Sequence, residues 1–417
     1  MKIKTLYNLL FSITFALPLF QVVNVGAQSD TGFIYGKVTT IDNTTYTGAI
    51  RWGKEEVFWF DMFNSSKPRN KNLKYLSAED RDHLNRNREN WSSRWSNVVI
   101  NTRWNWNSKH THSFACNFGD IDYLEITGRD RVELRLKNGE ILDLKGGSND
   151  IGTKIKVYDE DLGVVELNWD RVERVNFMDT PRKLSNKFGE PLYGTVETDY
   201  GDFSGYIQWD HDERVSTDKL DGDNRDGDMS IEFGKIKSIE RDGRGSNVIL
   251  KSGRDFYLTG SNDVNGENRG IIVNMPGEGR VDIEWRDFRK VTFTNGNKDS
   301  GPAYASYKTP NKLNGTVKTV GGSTLSGAII YDLDEEYDLE ILQGKEDEME
   351  YLIPFREIKR IYPKNFSYTY VELKSGKKVL LTDSQDVTED NDGVLVFNGK
   401  GDPTYIPWDD VDEIVFD

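Results

Sequence analysis

The stretch GTVETDYGDFSGYIQWD, Gly194 to Asp210, reads as a short strand around Val196, a polar turn near Gly201, and a second strand carrying Gly205, Ile207 and Trp209. Alternation places Ile207 and Trp209 on one face of that second strand. The stretch recurs as GKVTTIDNTTYTGAIRW from Gly36 and as GTVKTVGGSTLSGAIIYD from Gly315. Each recurrence is followed, at a distance, by a common ending: VELNWDRVERVNF to Phe177, VDIEWRDFRKVTF to Phe293 and TYIPWDDVDEIVF to Phe416. Tandem copies over residues 28–179, 192–295 and 312–417 therefore account for most of the chain, and a repeat of this length outranks any local feature.

Each copy divides again. The first half closes on FGDIDYLEI from Phe118, FGKIKSIE from Phe233 or FREIKRIY from Phe355, an aromatic followed by aliphatics at intervals of three. That spacing predicts strand, one tight helical turn, strand. The second half contains Asn138-Gly139, Ser252-Gly253 or Ser375-Gly376, where glycine accepts the positive φ of a hairpin turn. It then reaches a polar corner, Gly147-Ser148-Asn149-Asp150, Gly260-Ser261-Asn262-Asp263 or Asp383-Ser384-Gln385-Asp386. Side chains of these types hydrogen-bond their own backbone, so the recurrence is read as turn chemistry. The second half ends on Trp169, Trp285 or Trp408, which recur and are therefore core. Many short strands with regular turns predict an all-β fold of about six small barrels, two per copy.

The first-half pattern, shown by Val196, Gly201, Gly205, Ile207, Trp209 and Asp210, resembles Sm-like and SH3-like small barrels. The resemblance implies five short bent strands with a helical turn near one end. It covers a few dozen residues of each first half and is specific only for fold. The Sm pattern carries its aromatic one residue later and continues to a base-holding asparagine. Here Val215 or Tyr337 falls in that neighbourhood, which argues against RNA as a partner.

Lys2 and Lys4, the apolar run Leu9 to Phe20 and the small residues before Gln28 read as a signal peptide over residues 1–27. The expected location is secreted or periplasmic, with no membrane insertion after cleavage. Loss of Lys2 and Lys4 takes the net charge from −16 to −18, a surface that repels nucleic acid. Cys116 is the sole cysteine, so no intramolecular disulfide forms. It aligns with Ile231 and Ile353, which predicts a buried hydrophobe. The segments Asp179 to Pro191 and Asn295 to Asn311 read as exposed connectors.

The first copy alone carries an insertion, at about 64–113. Ser77-Ala78-Glu79-Asp80 resembles a capping box, so a short helix is expected there. Trp91, Trp95, Trp104 and Trp106 have no counterparts in the other copies, and they stand beside Arg94 and Arg103. Exposed, these six residues suit stacking on sugar or anchoring a protein; folded inward, the tryptophans would form the insertion's own core. His110 and His112 lack a convincing third ligand, and Asp221 to Glu232 departs from a calcium loop at Arg225 and in its glycine, so a solvated hairpin tip is expected. No metal and no cofactor is expected. No catalytic motif is present in the sequence, although paired carboxylates that meet only in space leave no motif. The expected function is an exported, non-catalytic binding or scaffolding protein whose partner is a protein or glycan. The alternatives are a carbohydrate-active hydrolase using carboxylates between barrels, and a structural component of a cell-envelope assembly.

Overall fold

The computed structural model describes residues 29–82, 84, 112–146, 150–294, 299–399 and 401–417. The fold is all-β, built of antiparallel sheets with short 3-10 turns between strands. Among the described residues no helix is long and apolar enough to cross a membrane.

One strand order is used three times. In the second copy it runs Asp255–Leu258, Gly245–Leu250, Ile236–Asp242, Phe288–Phe293, Tyr193–Thr198, Asp202–Trp209, Ile271–Met275, Gly279–Ile283. The corresponding strands of the first and third copies follow the same order. The expectation of six closed barrels is corrected here: no sheet of the described residues closes on itself. The sequence halves are not the packing units either. The strand that ends the second half, Phe288–Phe293, lies between the first strand of the copy and the strand that ends the first half. Strands are thus traded across the halves, and both halves fill one core.

The repeated aromatics show how. Trp52 of a first half meets Trp169 of the second half edge to face, with ring centroids 6.0 Å apart. Trp209 and Trp285 repeat the contact at 6.0 Å, and Tyr331 and Trp408 at 5.7 Å. Such pairs contribute about 0.5–1.5 kcal/mol beyond area burial. Each first-half ring also lies against the phenylalanine of its closing phrase, Phe118, Phe233 or Phe355. Those closing phrases form 3-10 turns at Phe118–Asp120, Phe233–Lys235 and Phe355–Glu357, as their spacing predicts. The hairpin glycines Gly139, Gly253 and Gly376 have φ of 88°, 87° and 92°, the left-handed region expected of them.

The hairpin in the middle of each copy bridges the same strand end, Ser66 opposite Lys145, Asp223 opposite Thr259 and Lys345 opposite Thr382, and differs in what else it pairs with. Met62–Lys67 and His112–Asn117 extend the first copy's own sheet. Lys219–Asn224 and Gly227–Glu232 pair with each other and end in an exposed tip over Arg225 to Asp228, as expected. Ile341–Glu346 and Met349–Pro354 stay bonded to the third copy through Lys345 and Thr382 and also pair with Gly279–Ile283 of the second, Val281 opposite Tyr351. Gly279 permits this approach, because a Cβ there would lie 2.4 Å from the Leu352 carbonyl oxygen.

The second connector is not an exposed tether. Tyr304 packs 4.5 Å from Trp59, and its hydroxyl donates to the Ile121 carbonyl at 2.7 Å. Tyr307 lies against Gly119, where a Cβ would fall 2.3 Å from its ring. Two tyrosines give this segment enough apolar surface to dock on the first copy, which its Gly, Pro, Ser and Asn content concealed.

Candidate functional site

Two kinds of place emerge: repeated acidic corners, and the junctions between copies. Both begin at the turn after the Gly-x-Ile-x-aromatic strand. That turn reads WGKEE from Trp52, WDHDE from Trp209 and YDLDE from Tyr331. Five residues beyond its glutamate sits another acid, Asp61, Asp218 or Glu340. Each accepts two consecutive backbone N–H groups: Val57 and Phe58, Arg214 and Val215, Glu336 and Tyr337. Such a carboxylate fixes the turn, and charge-assisted bonds of this kind are roughly twice as strong as neutral ones.

Each of these acids also takes a cation from another copy. Arg214 of the second copy donates to Asp61 of the first, from Nε at 3.1 Å and Nη2 at 2.8 Å. Arg214 is fully buried, with the rings of Phe58 and Phe60 5.1 and 4.9 Å from its guanidinium carbon. In return Arg51 of the first copy forms a bidentate pair with Asp218 of the second, at 2.7 and 3.0 Å. Lys67 of the first copy meets Glu340 of the third, and Arg356 of the third meets buried Asp120 of the first. Together with the Gly279–Ile283 to Met349–Pro354 pairing, every pair of copies is joined.

Where the three copies and the second connector meet, a cleft of about 220 Å³ is lined by Phe60, Met62, Met275, Tyr307 and Arg356 among others. Clefts between domains are favoured ligand sites, but this one is smaller than the usual range of 300–1,000 Å³. Arg356 there is already committed to Asp120 and Asn117.

The acidic corners are assembled from the same turn and the polar corner of the second half. Asp150 accepts from the backbone N–H of Asn64 at 2.6 Å, Asp263 from Asp221 at 2.7 Å and Asp386 from Gln343 at 2.7 Å. Their carbonyls accept from Trp52 Nε1, Trp209 Nε1 and the Tyr331 hydroxyl. The corner's recurrence therefore has a structural cause, as its turn chemistry predicts. Burial pushes Asp150 up to about 7, Asp263 to about 6 and Asp386 to about 7.

The three corners carry different charges. In the first, Glu56 and Asp150 face Arg280 of the second copy, and Gly53 stands where the others have aspartate. In the second, oxygens of Asp210, Glu213 and Asp263 lie within 4.8 Å of one another. Arg269 covers them, its Nη2 at 3.2 Å from Asp210 and 2.5 Å from Asp212. Glu213 is pushed up to about 9, first by burial and then by Asp263 and its acidic neighbours. In the third, oxygens of Asp332, Asp334 and Glu335 lie within 4.8 Å of one another, and all three residues are buried. Burial, then the charges of Asp334, Asp386 and Asp332, holds the Glu335 carboxyl well above its ordinary range. Oxygen-only clusters suit hard divalent cations.

Trp91, Arg94, Trp95, Arg103, Trp104 and Trp106 lie outside the described residues, as do residues 1–27, where a signal peptide is expected. The start of the insertion is described. Ser77 Oγ accepts from the Asp80 N–H at 3.1 Å while Asp80 accepts from Ser77, the capping box expected there, and the chain is helical from residue 78. Leu76 and Leu84 pack with Ile330, Leu333 and Leu395 of the third copy. Asn72 Nδ2 donates to the Leu333 carbonyl at 3.0 Å. The polar corners recur visibly in the sequence, but their convergence with the acidic turns and the inter-copy cations leave no local signal; aligning Asp210 with Asp332 and Arg269 with Asp392 shows how the corners differ.

No protein-family model matches the chain, and no curated protein matches it. Among solved structures, one titled streptogramin B lyase structure aligns with 71% of this chain and 97% of its own at 10% identity. Its TM-score is 0.09, a superposition that carries no argument about fold or function.

Proposed function

We propose that the protein is an exported, non-catalytic binding or scaffolding protein: a β array that presents the rest of its insertion to a protein or glycan partner. The observation that carries this reading is the mounting of the insertion. The flanking strands pair to their ends, Lys67 opposite His112, while Leu76 and Leu84 are held by the third copy. Leu84 and His112, the described residues on either side of the rest of the insertion, are thus both anchored on an interlocked body. Trp91, Trp95, Trp104 and Trp106 with Arg94 and Arg103 are the residues we assign to partner contact, since Trp and Arg dominate binding hot spots.

We also read each copy as two SH3-like five-strand groups that have traded strands. In the first copy these are Val172–Phe177, Tyr35–Thr40, Thr45–Trp52, Ile155–Asp159, Gly163–Leu167, and Ile121–Gly128, Arg131–Leu136, Ile141–Lys145, Met62–Lys67, His112–Asn117. A 3-10 turn before Ile121 and another before Val172 support this grouping.

The test replaces residues 86–110 by a short Gly-Ser turn and keeps 71–84. The shortened protein is expected to fold and to lose the partner captured by the full chain in pull-down or glycan-array binding. A folded deletion that retains all binding would refute the assignment.

A further inference from the structure

We propose that the outer edge of Gly163–Leu167, the last strand of the first copy's sheet, takes an extended strand of another protein that is apolar at alternate positions. The three copies carry this edge in three states. Gly163–Leu167, Gly279–Ile283 and Thr404–Ile406 occupy the same place in their sheets, each paired along its inner side with the strand before it. The phrases VELNW from Val165, VDIEW from Val281 and TYIPW from Thr404 fix the equivalence residue by residue. In the second copy the outer edge is filled: Arg280, Val281 and Asp282 stand opposite Leu352, Tyr351 and Glu350 of the third copy. In the third copy Pro403 precedes the strand, and proline guards strand edges because it has no N–H to offer. In the first copy neither applies. Val164 stands where the others have Arg280 and Pro403, and among the described residues nothing pairs with the outer edge.

The filled edge shows what an incoming strand must supply. Met349, Tyr351 and Ile353 are buried in the core shared by the second and third copies, so alternate residues of the guest are apolar. Val281, opposite Tyr351, is fully buried, whereas Val165, its equivalent, is only partly covered. A Cβ on Gly279 would lie 2.4 Å from the Leu352 carbonyl oxygen, while one on the equivalent Gly163 would meet nothing within 4 Å. The space that a strand fills in the second copy is therefore open in the first. Apolar surface lines it: Leu162 is 67% and Val164 51% exposed, and Val164 lies opposite Tyr158, whose ring is 5.7 Å from that of Phe188. Glu166, the one charged residue of the strand, is paired with Lys154 and Lys156, which leaves no net negative charge to guard the edge. An exposed, apolar, unpaired edge is a template for strand addition, in which main-chain hydrogen bonds give affinity and alternate side chains give specificity. This surface shares no residue with the insertion assigned above to partner contact.

The test uses the full chain and an end-capped fluorescent peptide copying Met349–Pro354, whose own place in the molecule is already filled by the tethered strand. Saturable binding is expected, with new hydrogen-exchange protection in Gly163–Leu167 and none in Gly279–Ile283. Val164→Lys, at a position exposed enough to leave the fold intact, should weaken binding at least about tenfold, because lysine guards strand edges. Two further peptides, N-methylated on one or the other set of alternate residues, separate sheet addition from apolar adhesion. One should bind and the other fail, since only one set turns its N–H groups toward the edge. Absence of binding, equal binding of the two methylated peptides, or binding indifferent to Val164→Lys overturns the proposal. Sedimentation of the chain without peptide should be unchanged by Val164→Lys. A dimer that this substitution disperses would overturn the proposal in favour of pairing between two copies of this chain.

Discussion

Arg214 concentrates the energetics of the molecule in one side chain: no exposed surface, two phenylalanine rings, and the Asp61 carboxylate of another copy. Removing one partner of a buried pair leaves a charge with no compensation, at a cost of about 3–5 kcal/mol. Arg214→Met should therefore lower stability by that amount in urea unfolding, and adding Asp61→Asn should recover part of it. A loss under 1 kcal/mol for Arg214→Met would show that the pair is dispensable. Cys116 is fully buried opposite Phe63, and burial raises its thiol well above the ordinary range. It should resist thiol reagents until the protein unfolds, and Cys116→Ser should cost about 1–3 kcal/mol. Rapid labelling of the native protein would contradict this. Asp150 titrates near 7 when folded, because burial opposes its charge, against an ordinary value near 4. The native state binds the extra proton, so this group's stabilising contribution is complete below about pH 4 and is lost as pH rises through about 7. Melting temperature should fall between pH 5 and 8, and Asp150→Asn should flatten that slope. An unchanged slope would assign the pH dependence to other groups.

At the scale of elements, the strands and their turns were legible because side-chain period and glycine placement are local properties. Gly205-x-Ile207-x-Trp209 places its aromatic in the core without reference to anything distant. Partners were not legible. Nothing in Phe288–Phe293 says that it will lie between two strands of the other half, since backbone pairing is indifferent to sequence. The same holds for Gly279–Ile283, whose outer edge accepts a hairpin of the next copy. Gly279 has φ of 99° and almost touches Leu352. Gly279→Ala should destabilise by more than about 1 kcal/mol, since neither the angle nor the space admits a methyl group. Hydrogen exchange should show the loss first in Met349–Pro354. Equal protection in wild type and variant would mean that this pairing contributes little.

At the scale of the whole molecule, the repeats suggest beads on a string, and the charges make them something else. Acids that fix equivalent turns in each copy are neutralised from a different copy: Asp61 by Arg214, Asp218 by Arg51, Glu340 by Lys67. A copy on its own would keep the acid and lose its cation. Aligning the copies on the structure brings Asp61, Asp218 and Glu340 to one position, whereas their partners escape any alignment, because Arg51, Lys67 and Arg214 have no counterparts at equivalent positions. The central claim is that the copies form a single interlocked body, and its most direct test is hydrogen exchange by mass spectrometry across a urea series on the full chain. The strands Tyr35–Thr40, Tyr193–Thr198 and Asn314–Thr319 of the three copies should lose protection together, at one denaturant concentration. Stepwise loss, with one copy exchanging freely while the other two stay protected, would contradict it.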